Sequence, residues 1–284
     1  MKPPAFDYAS PATIEEAVAL LASRSGNAKI ISGGQSLMPM LAFRLASPDL
    51  LVDLKRLQGL NSIVIAENGV RLGAKVRWCD IERDSRLESA HPLLAEAVRH
   101  VAHYQIRNRG TVGGSLAHAD PAAEMPGVAV ACDAKLTIVG PKGARVEKAV
   151  DFFKGPLMTS LAADEILTEV WLPALSSGCR WSFLEFARRR GDFAMAGVAL
   201  HYAVVGGKVE DMHIGAIGVG DTPLRLSAVE AVLNGRPLDE RAIEAAAATA
   251  RETVNPQSDI HAPAEYRRAL LATLLARALK KSAA

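Results

Sequence analysis

The sequence has few cysteines and no cysteine pair at metal-binding spacing. Its 284 residues include only Cys79, Cys132 and Cys179. These thiols are too far apart in the chain for the Cys-x-x-Cys pairs that hold structural zinc or an iron–sulfur cluster. Isolated cysteines of this kind are typical of small buried side chains in a reducing compartment. The cysteines therefore give no support to a metal or iron–sulfur centre in this chain.

An excess of charge of one sign is also lacking, because 33 Lys and Arg residues are nearly balanced by 31 Asp and Glu residues. Domains that bind nucleic acid usually carry a clustered basic excess, so we expect no nucleic-acid partner. The one dense basic run is Arg188-Arg189-Arg190. It indicates a solvated face, with docking of an acidic partner or of a phosphate group as the alternative.

Long apolar runs are missing as well. No stretch is long and apolar enough to span a membrane, and the N-terminal Met1-Lys2-Pro3-Pro4 has no apolar signal core. We therefore expect a protein without a membrane span, located in the cytoplasm or exported only together with a partner.

The usual catalytic patterns are absent from the sequence. It has no Gly-x-Ser-x-Gly elbow for a hydrolase and no Gly-x-Gly-x-x-Gly dinucleotide fingerprint. The seven histidines are scattered, and His100 and His103, which share a predicted helical face, indicate surface or core imidazoles rather than metal ligands. His118 with Asp120 is the one pair that could serve a ligand, since loop carboxylates can bind cofactor hydroxyls. We therefore assign no catalytic and no metal-binding residues, and we expect a protein that holds a cofactor.

What the sequence does contain is two double-glycine motifs, Ser32-Gly33-Gly34-Gln35-Ser36-Leu37 and Thr111-Val112-Gly113-Gly114-Ser115. Glycine can adopt positive φ, which lets successive backbone N–H groups turn toward one point. Such N–H groups form an anion-binding concavity, and neighbouring hydroxyls add donors. Two motifs of this kind would suit a ligand with two phosphates, although a single Gly-Gly is more often an ordinary turn.

The pattern of apolar residues predicts an α+β chain. A capping box at Thr13-Ile14-Glu15-Glu16 begins a helix. The strands Ala28 to Ile31 and Leu50 to Leu54, with a short helix from Pro39 to Leu45 between them, form a small β-α-β unit. Asn68-Gly69 predicts a two-residue hairpin turn. After a break at Ser176-Ser177-Gly178, strands and then helices follow, which favours helices on one face of a sheet. Three strands are predicted there: Trp181 to Arg188, Met195 to Val205 and Val209 to Val219.

Together the two motifs carry a resemblance. The first motif, the block Gln105-Ile106-Arg107-Asn108-Arg109-Gly110 leading into the second, and the downstream His118-Ala119-Asp120-Pro121-Ala122-Ala123-Glu124 resemble the FAD-binding medium subunit of molybdenum hydroxylases. This family includes the medium subunit of carbon monoxide dehydrogenase and is similar to the flavin domain of xanthine dehydrogenase. The resemblance runs nearly from end to end of the chain.

The resemblance implies a two-lobed FAD-binding domain of the PCMH type over residues 1–176, with lobes at about 1–55 and 56–176. It implies an α+β C-terminal domain over residues 177–284, with a three-stranded antiparallel sheet and helices. It further implies that FAD contacts the following residues: Ile30, Ile31, Ser32, Gly33, Gly34, Gln35, Ser36, Leu37, Thr111, Val112, Gly113, Gly114, Ser115, Glu124, Leu167 and Phe193.

Two of these residues have plain structural alternatives. Glu124 lies near the start of a predicted helix, where an acid is also favoured by the helix dipole. Phe193 could begin the strand that follows it and point into the core of its own domain. A lysine that xanthine dehydrogenase relatives use in this region corresponds here to Leu184, so that contact is not carried over.

The resemblance also implies partners. A large subunit would bind molybdopterin, a small subunit would carry two [2Fe–2S] clusters, and the assembly would be a dimer of heterotrimers. This chain would accept electrons from the clusters and pass them to an external acceptor, so the enzyme would be an FAD-dependent oxidoreductase. The alternatives are a self-contained FAD-dependent oxidoreductase and a nucleotide-binding regulatory module that is not an enzyme. Neither the substrate nor the acceptor can be read from this chain.

Overall fold

The computed structural model describes residues 2–283, and its N-terminal part is built on a three-stranded sheet. The central strand β3 pairs in parallel with β1 on one side and β2 on the other. The Thr13 hydroxyl accepts a hydrogen bond from the Glu16 N–H, which confirms Thr13 as the helix cap. The Glu16 carboxylate reaches back one residue further than a capping box requires and accepts from the Ala12 N–H. The elements are Asp7–Ala9 (β1), Ile14–Ala22 (α1), Ala28–Ile31 (β2), Leu37–Ala42 (α2), Leu50–Asp53 (β3) and a 3-10 turn at Leu54–Arg56.

A five-stranded sheet in the order β4-β5-β10-β6-β7 forms the second part, and its pairs are antiparallel. The predicted hairpin at Asn68-Gly69 joins β4 to β5. Its strands are Ile63–Ala66 (β4), Gly69–Gly73 (β5), Lys135–Gly140 (β6), Gly143–Lys148 (β7) and Ile166–Pro173 (β10), with a small separate pair at Phe153–Gly155 (β8) and Met158–Thr159 (β9). Its helices are Trp78–Arg83 (α3), Arg86–Ala90 (α4), Pro92–Val98 (α5), Tyr104–Arg107 (α6), Val112–His118 (α7), Glu124–Ala131 (α8) and Ala149–Phe152 (α9).

The C-terminal part is an antiparallel sheet with helices on one face. Three of its strands are the predicted ones. The predicted three-stranded sheet is extended by a fourth strand of only two residues, β14, which pairs with Gly215 and Ala216. A strand this short has no alternating pattern, so the sequence could not reveal it. The elements are Arg180–Phe186 (β11), Ala196–Val205 (β12), Lys208–Ile217 (β13), Leu224–Arg225 (β14), Ser227–Leu233 (α10), Glu240–Thr253 (α11) and Ala264–Ala283 (α12).

Helix α8 lies at the centre of the molecule, and every one of its residues is buried. It packs against α5 and α7 on one side and against β12 and β13 on the other. Gly127 and Gly215 permit this packing, because a Cβ on Gly215 would lie 2.4 Å from the Gly127 carbonyl oxygen. One face of the C-terminal sheet therefore covers α8, while the other face packs on α10 to α12. This arrangement confirms the α+β fold class.

Candidate cofactor site

A cleft of about 680 Å³ runs along the double-glycine motifs. The first motif, the second motif, helix α7 and the segment 157–167 line it, and Gly191 to Phe193 of the loop before β12 reach its edge. A cleft of this volume falls within the range of small-molecule and cofactor sites. The two motifs, far apart in the sequence, are thus brought to one site.

The first motif presents free backbone donors. Within residues 2–283, no group accepts a hydrogen bond from the backbone N–H of Gly33, Gly34, Gln35 or Ser36. Of these residues only Gly34 has positive φ, at +73°. The Gln35 amide braces the turn by donating to the Gly33 carbonyl oxygen over 3.1 Å. A row of N–H donors at the wall of a cleft is the arrangement that binds phosphate oxygens.

The second motif is built differently, because its glycines lie in the first turn of helix α7. The Val112 and Gly113 N–H groups donate to the carbonyl oxygens of Val76 and Ala74, each over 2.9 Å. The Gly114 N–H donates to the Thr111 hydroxyl over 3.1 Å, which caps the helix. Neither glycine has positive φ. The expectation of a second row of free N–H donors is therefore wrong. The Ser115 hydroxyl remains as a donor, whereas the Thr111 hydroxyl donates to Ser32.

Close backbone packing explains the need for glycine at two of these positions. A Cβ on Gly33 would lie 2.2 Å from the Arg109 carbonyl oxygen, in the segment that leads into the second motif. A Cβ on Gly113 would lie 2.5 Å from the Ala74 Cβ. The Thr111 hydroxyl also donates to the Ser32 hydroxyl over 3.2 Å. The two motifs therefore contact each other in addition to lining the same cleft.

Glu124 is the buried acid of the site. It is the first residue of α8, lines the cleft, and has 9% of its surface exposed. Burial raises the pKa of Glu124 to about 8, and the charge of Glu185 contributes to the rise. A carboxyl group with this pKa exchanges a proton near neutral pH. Glu124 lies at the start of a helix, as the sequence predicted, and its side chain also faces the cleft.

Leu167 and Phe193 line the cleft from different parts of the chain. Leu167 is buried in β10 and forms part of the wall. Phe193 lies in the loop between β11 and β12 and is 68% exposed, although it also lines the cleft. The alternative in which Phe193 fills a core is therefore wrong.

Two of the expected contact residues do not line the cleft. Val112 is fully buried and belongs to the central core cluster. Ile31 lies at the end of β2, and its side chain packs near Gly34. Both follow from chain geometry, since residues next to a lining residue in a strand or helix point another way. The remaining fourteen expected residues line the cleft.

The sequence did not reveal the wall formed by residues 157–163. Leu157 and Met158 line the cleft although both are exposed, and the Leu157 N–H is bonded to the carbonyl oxygen of Ala119 at the end of α7. Glu165 holds the end of this wall through two 2.8 Å hydrogen bonds from Arg145. The Arg145 guanidinium lowers the pKa of Glu165. The only signal in the sequence was Gly155-Pro156, which marks a turn and no more.

His118 and Asp120 both line the cleft, as their spacing suggested. Burial lowers the pKa of His118, so the imidazole is neutral at physiological pH. Asp120 accepts a hydrogen bond from the Ala122 N–H over 2.9 Å and so shapes the turn before α8. The pair adds polar groups to the cleft without forming a metal site.

Within residues 2–283, no group of His, Cys, Asp and Glu side chains could hold a metal ion. None of the helices there combines the length and the apolar character needed to cross a membrane.

Comparison with known protein families covers almost the whole chain. A family model described as the FAD binding domain in molybdopterin dehydrogenase matches residues 4–175. A second, described as the CO dehydrogenase flavoprotein C-terminal domain, matches residues 181–282. The first model alone matches more than half of the chain.

Individual relatives agree with the family models. The nicotine 6-hydroxylase medium subunit of Paenarthrobacter nicotinovorans is 43% identical to this chain, over 100% of this chain and 99% of the relative. A solved structure of carbon monoxide dehydrogenase from Hydrogenophaga pseudoflava matches with a TM-score of 0.97 and 37% identity, covering 99% of this chain and 98% of the other. Quinoline 2-oxidoreductase from Pseudomonas putida 86 matches with a TM-score of 0.95 and 38% identity, covering 100% and 98%.

The fold and the free N–H donors of the cleft agree with these matches, which span nearly the full length of the chain. The protein belongs to the family of FAD-binding medium subunits of molybdenum-containing dehydrogenases, which are oxidoreductases.

Proposed function

We propose that this chain is the electron-transfer subunit of a molybdenum hydroxylase complex. It accepts electrons from [2Fe–2S] clusters of a small subunit and passes them from FAD to an external acceptor. A large subunit binds molybdopterin and the substrate, and the complex is a dimer of heterotrimers. The predicted division into domains at residues 176 and 177 belongs to the same proposal.

The observation that carries the proposal is the row of free donors at Gly33 to Ser36 in a chain of the FAD family. These N–H groups, with the hydroxyls of Ser32 and Ser115, fit the pyrophosphate of FAD. Gly33 also keeps the two motifs in contact, because a Cβ at this position would lie 2.2 Å from the Arg109 carbonyl oxygen.

Acidic and apolar residues would hold the remaining parts of the cofactor. Glu124 would accept hydrogen bonds from ribityl or ribose hydroxyls, and Leu167 and Phe193 would contact apolar ring surface. The exposed edge at Phe193 is where an acceptor could approach. Bound FAD would supply the two-electron chemistry that no side chain of this site provides.

The relatives support the view that substrate choice lies outside this chain. Proteins named for nicotine, carbon monoxide and quinoline are each 37–43% identical to it over nearly the whole length. Enzymes with such different substrates share this subunit fold, so the pocket that reads the substrate is on another subunit. We therefore propose no substrate from this chain.

Purification of the full chain, with and without its co-expressed partner subunits, tests the proposal. We expect flavin absorption bands, one FAD per chain, and bleaching of the flavin by substrate only when both partners are present. Substrate oxidation by this chain alone would instead support a self-contained oxidoreductase. A folded chain that binds no FAD would contradict the proposal and favour the regulatory module.

A further inference from the structure

Arg267 is a buried charged residue near the start of α12, with 7% of its surface exposed. Its Nη2 atom donates to Asp259 Oδ2 over 2.7 Å. Its Nη1 atom donates to two backbone carbonyl oxygens, that of Met195 over 2.7 Å and that of Gly218 over 2.9 Å. Burial of a guanidinium is costly even when it is paired, and packed apolar side chains often stabilise a protein as well or better. Stability alone therefore does not explain a charge at this position.

Met195, the first of these acceptors, ends the loop that carries Phe193. Gly191 and Phe193 of this loop line the edge of the cofactor cleft. The Met195 N–H donates to the carbonyl oxygen of Phe186, the last residue of β11, over 2.8 Å. The loop is thus closed at Met195, whose N–H is bonded to β11 and whose carbonyl oxygen is bonded to Arg267. The guanidinium therefore fixes the chain two residues after Phe193.

Gly218, the second backbone acceptor, connects the guanidinium to another part of the cofactor site. Its N–H donates to the Pro121 carbonyl oxygen over 2.9 Å. Pro121 belongs to the segment 118–124, which contributes His118, Asp120 and Glu124 to the lining of the cleft. Gly218 also packs closely on the end of the loop, since a Cβ there would lie 2.8 Å from the Met195 carbonyl oxygen. One side chain of α12 is thus linked to two segments of the cleft.

We propose that Arg267 is a positioning residue that sets the place of Phe193 at the edge of the cofactor cleft. Arg267 does not itself line the cleft, so it acts through the backbone of Met195 and Gly218. The inference rests on the proposed function, in which Phe193 contacts the flavin ring. Pro121 lies in the region matched by the FAD-binding family model, whereas Arg267 lies in that matched by the C-terminal model. The C-terminal part of the chain therefore adjusts the flavin environment through this arginine.

Arg225 provides a matched comparison within the same part of the chain. It is also a largely buried guanidinium, with 18% of its side chain exposed against 9% for Arg267. It donates to Asp133 Oδ1 over 2.7 Å and to the Val130 carbonyl oxygen over 3.3 Å. These acceptors lie at the C-terminal end of α8, whereas the contacts of Arg267 lead to the segment before its N-terminal end. Loss of either arginine weakens packing between the two parts, but Arg225 is not bonded to the end of the Phe193 loop.

The test compares Arg267→Met with Arg225→Met in the full chain loaded with FAD. Visible circular dichroism of the bound flavin reports on the surroundings of its ring. Stopped-flow absorbance follows reoxidation by dissolved oxygen after stoichiometric reduction with dithionite. We expect Arg267→Met to alter the dichroism and to change the reoxidation rate constant about tenfold, in the same direction as Phe193→Ala, because small displacements near a reacting group change rates strongly. Arg225→Met should lower stability and leave both flavin properties at their wild-type values.

A double variant tests whether Arg267 acts through Phe193. If it does, Arg267→Met combined with Phe193→Ala should reoxidise at the rate of Phe193→Ala alone, because the two changes remove the same effect. Effects that multiply in the double variant would overturn the inference. Wild-type flavin properties in Arg267→Met, together with altered ones in Phe193→Ala, would also overturn it and leave the proposed function standing. A folded wild-type chain that binds no FAD would overturn the proposed function, and this inference with it.

Asp259→Asn keeps the test decisive if Arg267→Met fails to fold. Asp259 Oδ1 accepts from the backbone N–H groups of residues 261–262, each over 2.9 Å, and asparagine keeps this oxygen. The Oδ2 atom, which accepts from Arg267, becomes an amide nitrogen that cannot accept. We expect a smaller change in the reoxidation rate, in the same direction as that of Phe193→Ala. Asp239→Asn, which keeps the oxygen that caps α11, is the control. A wild-type rate in Asp259→Asn would overturn the inference.

Discussion

The first double-glycine motif keeps the N–H groups of Gly33 to Ser36 without acceptors in the described chain, whereas the second motif bonds the N–H groups of its first helical turn. Both motifs line one cleft, and both contain two adjacent glycines next to hydroxyl residues. The first therefore offers backbone donors to a ligand. The second offers mainly hydroxyl groups and a rigid support.

The comparison teaches that glycine can be required for contacts that no ligand makes. Gly33 allows the Arg109 carbonyl oxygen to approach, and Gly113 allows Ala74 to approach. Only Gly34 has the positive φ that motivates glycine in an anion-binding turn. Substitutions in the two motifs should therefore separate ligand binding from support of the fold.

Replacement of Gly33 should have the largest effect. In Gly33→Ala the new Cβ would meet the Arg109 carbonyl oxygen at 2.2 Å, so the two motifs must move apart. We expect loss of stoichiometric FAD and a fall of about 1–3 kcal/mol in the free energy of unfolding. FAD titration and urea denaturation measure the two effects. Gly155→Ala is the control, because its Cβ would make ordinary contacts, at 3.8 Å or more. Full FAD content in Gly33→Ala would show that the motifs need not stay in contact.

Glu124 extends the comparison of the two motifs. It follows the second motif in the sequence, and its side chain faces the cleft, whereas the N–H groups of that motif do not. In the cofactor-free folded chain its pKa is about 8, against an ordinary value of 4.5. Between these two pKa values the folded state therefore binds one more proton than the unfolded state. This proton stabilises the fold fully below about pH 4.5, and the stabilisation is lost as pH rises through about 8.

We therefore expect wild-type stability, relative to that of Glu124→Gln, to fall by at most about 1.4 kcal/mol for each pH unit across this window. Denaturant unfolding of the cofactor-free proteins from pH 5 to pH 8 measures the difference. Glu169→Gln, which removes a partly exposed carboxylate that pairs with Arg71, is the control for the loss of a carboxyl group. A constant difference between wild type and Glu124→Gln would mean that the carboxyl group is already ionised at pH 5.

Gly113→Ala tests whether the second motif acts as support. Its Cβ would lie 2.5 Å from the Ala74 Cβ and 2.8 Å from the Ala74 carbonyl oxygen, so α7 must shift away from the five-stranded sheet. We expect a loss of about 1–3 kcal/mol in the free energy of unfolding, with FAD still bound by the folded fraction. Calorimetry and FAD content per folded chain distinguish the two effects. Complete loss of FAD at unchanged stability would assign the motif a direct role in binding.

Thr111→Val should have a smaller effect, since it keeps the shape of the side chain. It removes the hydroxyl that caps α7 and that donates to Ser32. Loss of an N-cap costs about 1 kcal/mol, and we also expect weaker FAD binding because the link between the motifs is cut. Thr273→Val, on the exposed face of α12, is the control for a lost threonine hydroxyl. Equal FAD affinity in wild type and Thr111→Val would show that the link does not matter for binding.

Phe193→Ala should change stability least. The side chain is 68% exposed, so we expect a change within about 0.5 kcal/mol. The flavin absorption spectrum and the rate of reoxidation should change nonetheless, because Phe193 lies at the edge of the cleft. Ile260→Ala, which removes a side chain that is 94% exposed, should alter neither property. A flavin spectrum and reoxidation rate equal to wild type would exclude Phe193 from the cofactor environment.

The parts of the fold that depend on short, local sequence patterns were predictable. The helix cap at Thr13, the hairpin at Asn68-Gly69 and the long strands of the C-terminal sheet follow from residue types within a few positions of one another. The short elements were not predictable in this way. Helix α7 contains two glycines, which have poor helix propensity, and β14 has only two residues. Tertiary packing decides both.

The candidate site likewise has features that the sequence predicts and features that only the folded structure shows. By itself the sequence determined the family, the two double-glycine motifs and most of the residues that line the cleft, because these depend on residue identity and spacing. Only the tertiary structure decided which N–H groups stay free and that Val112 points into the core. Hydrogen-bond acceptors and buried neighbours come from distant parts of the chain, so their positions exist only once the chain has folded.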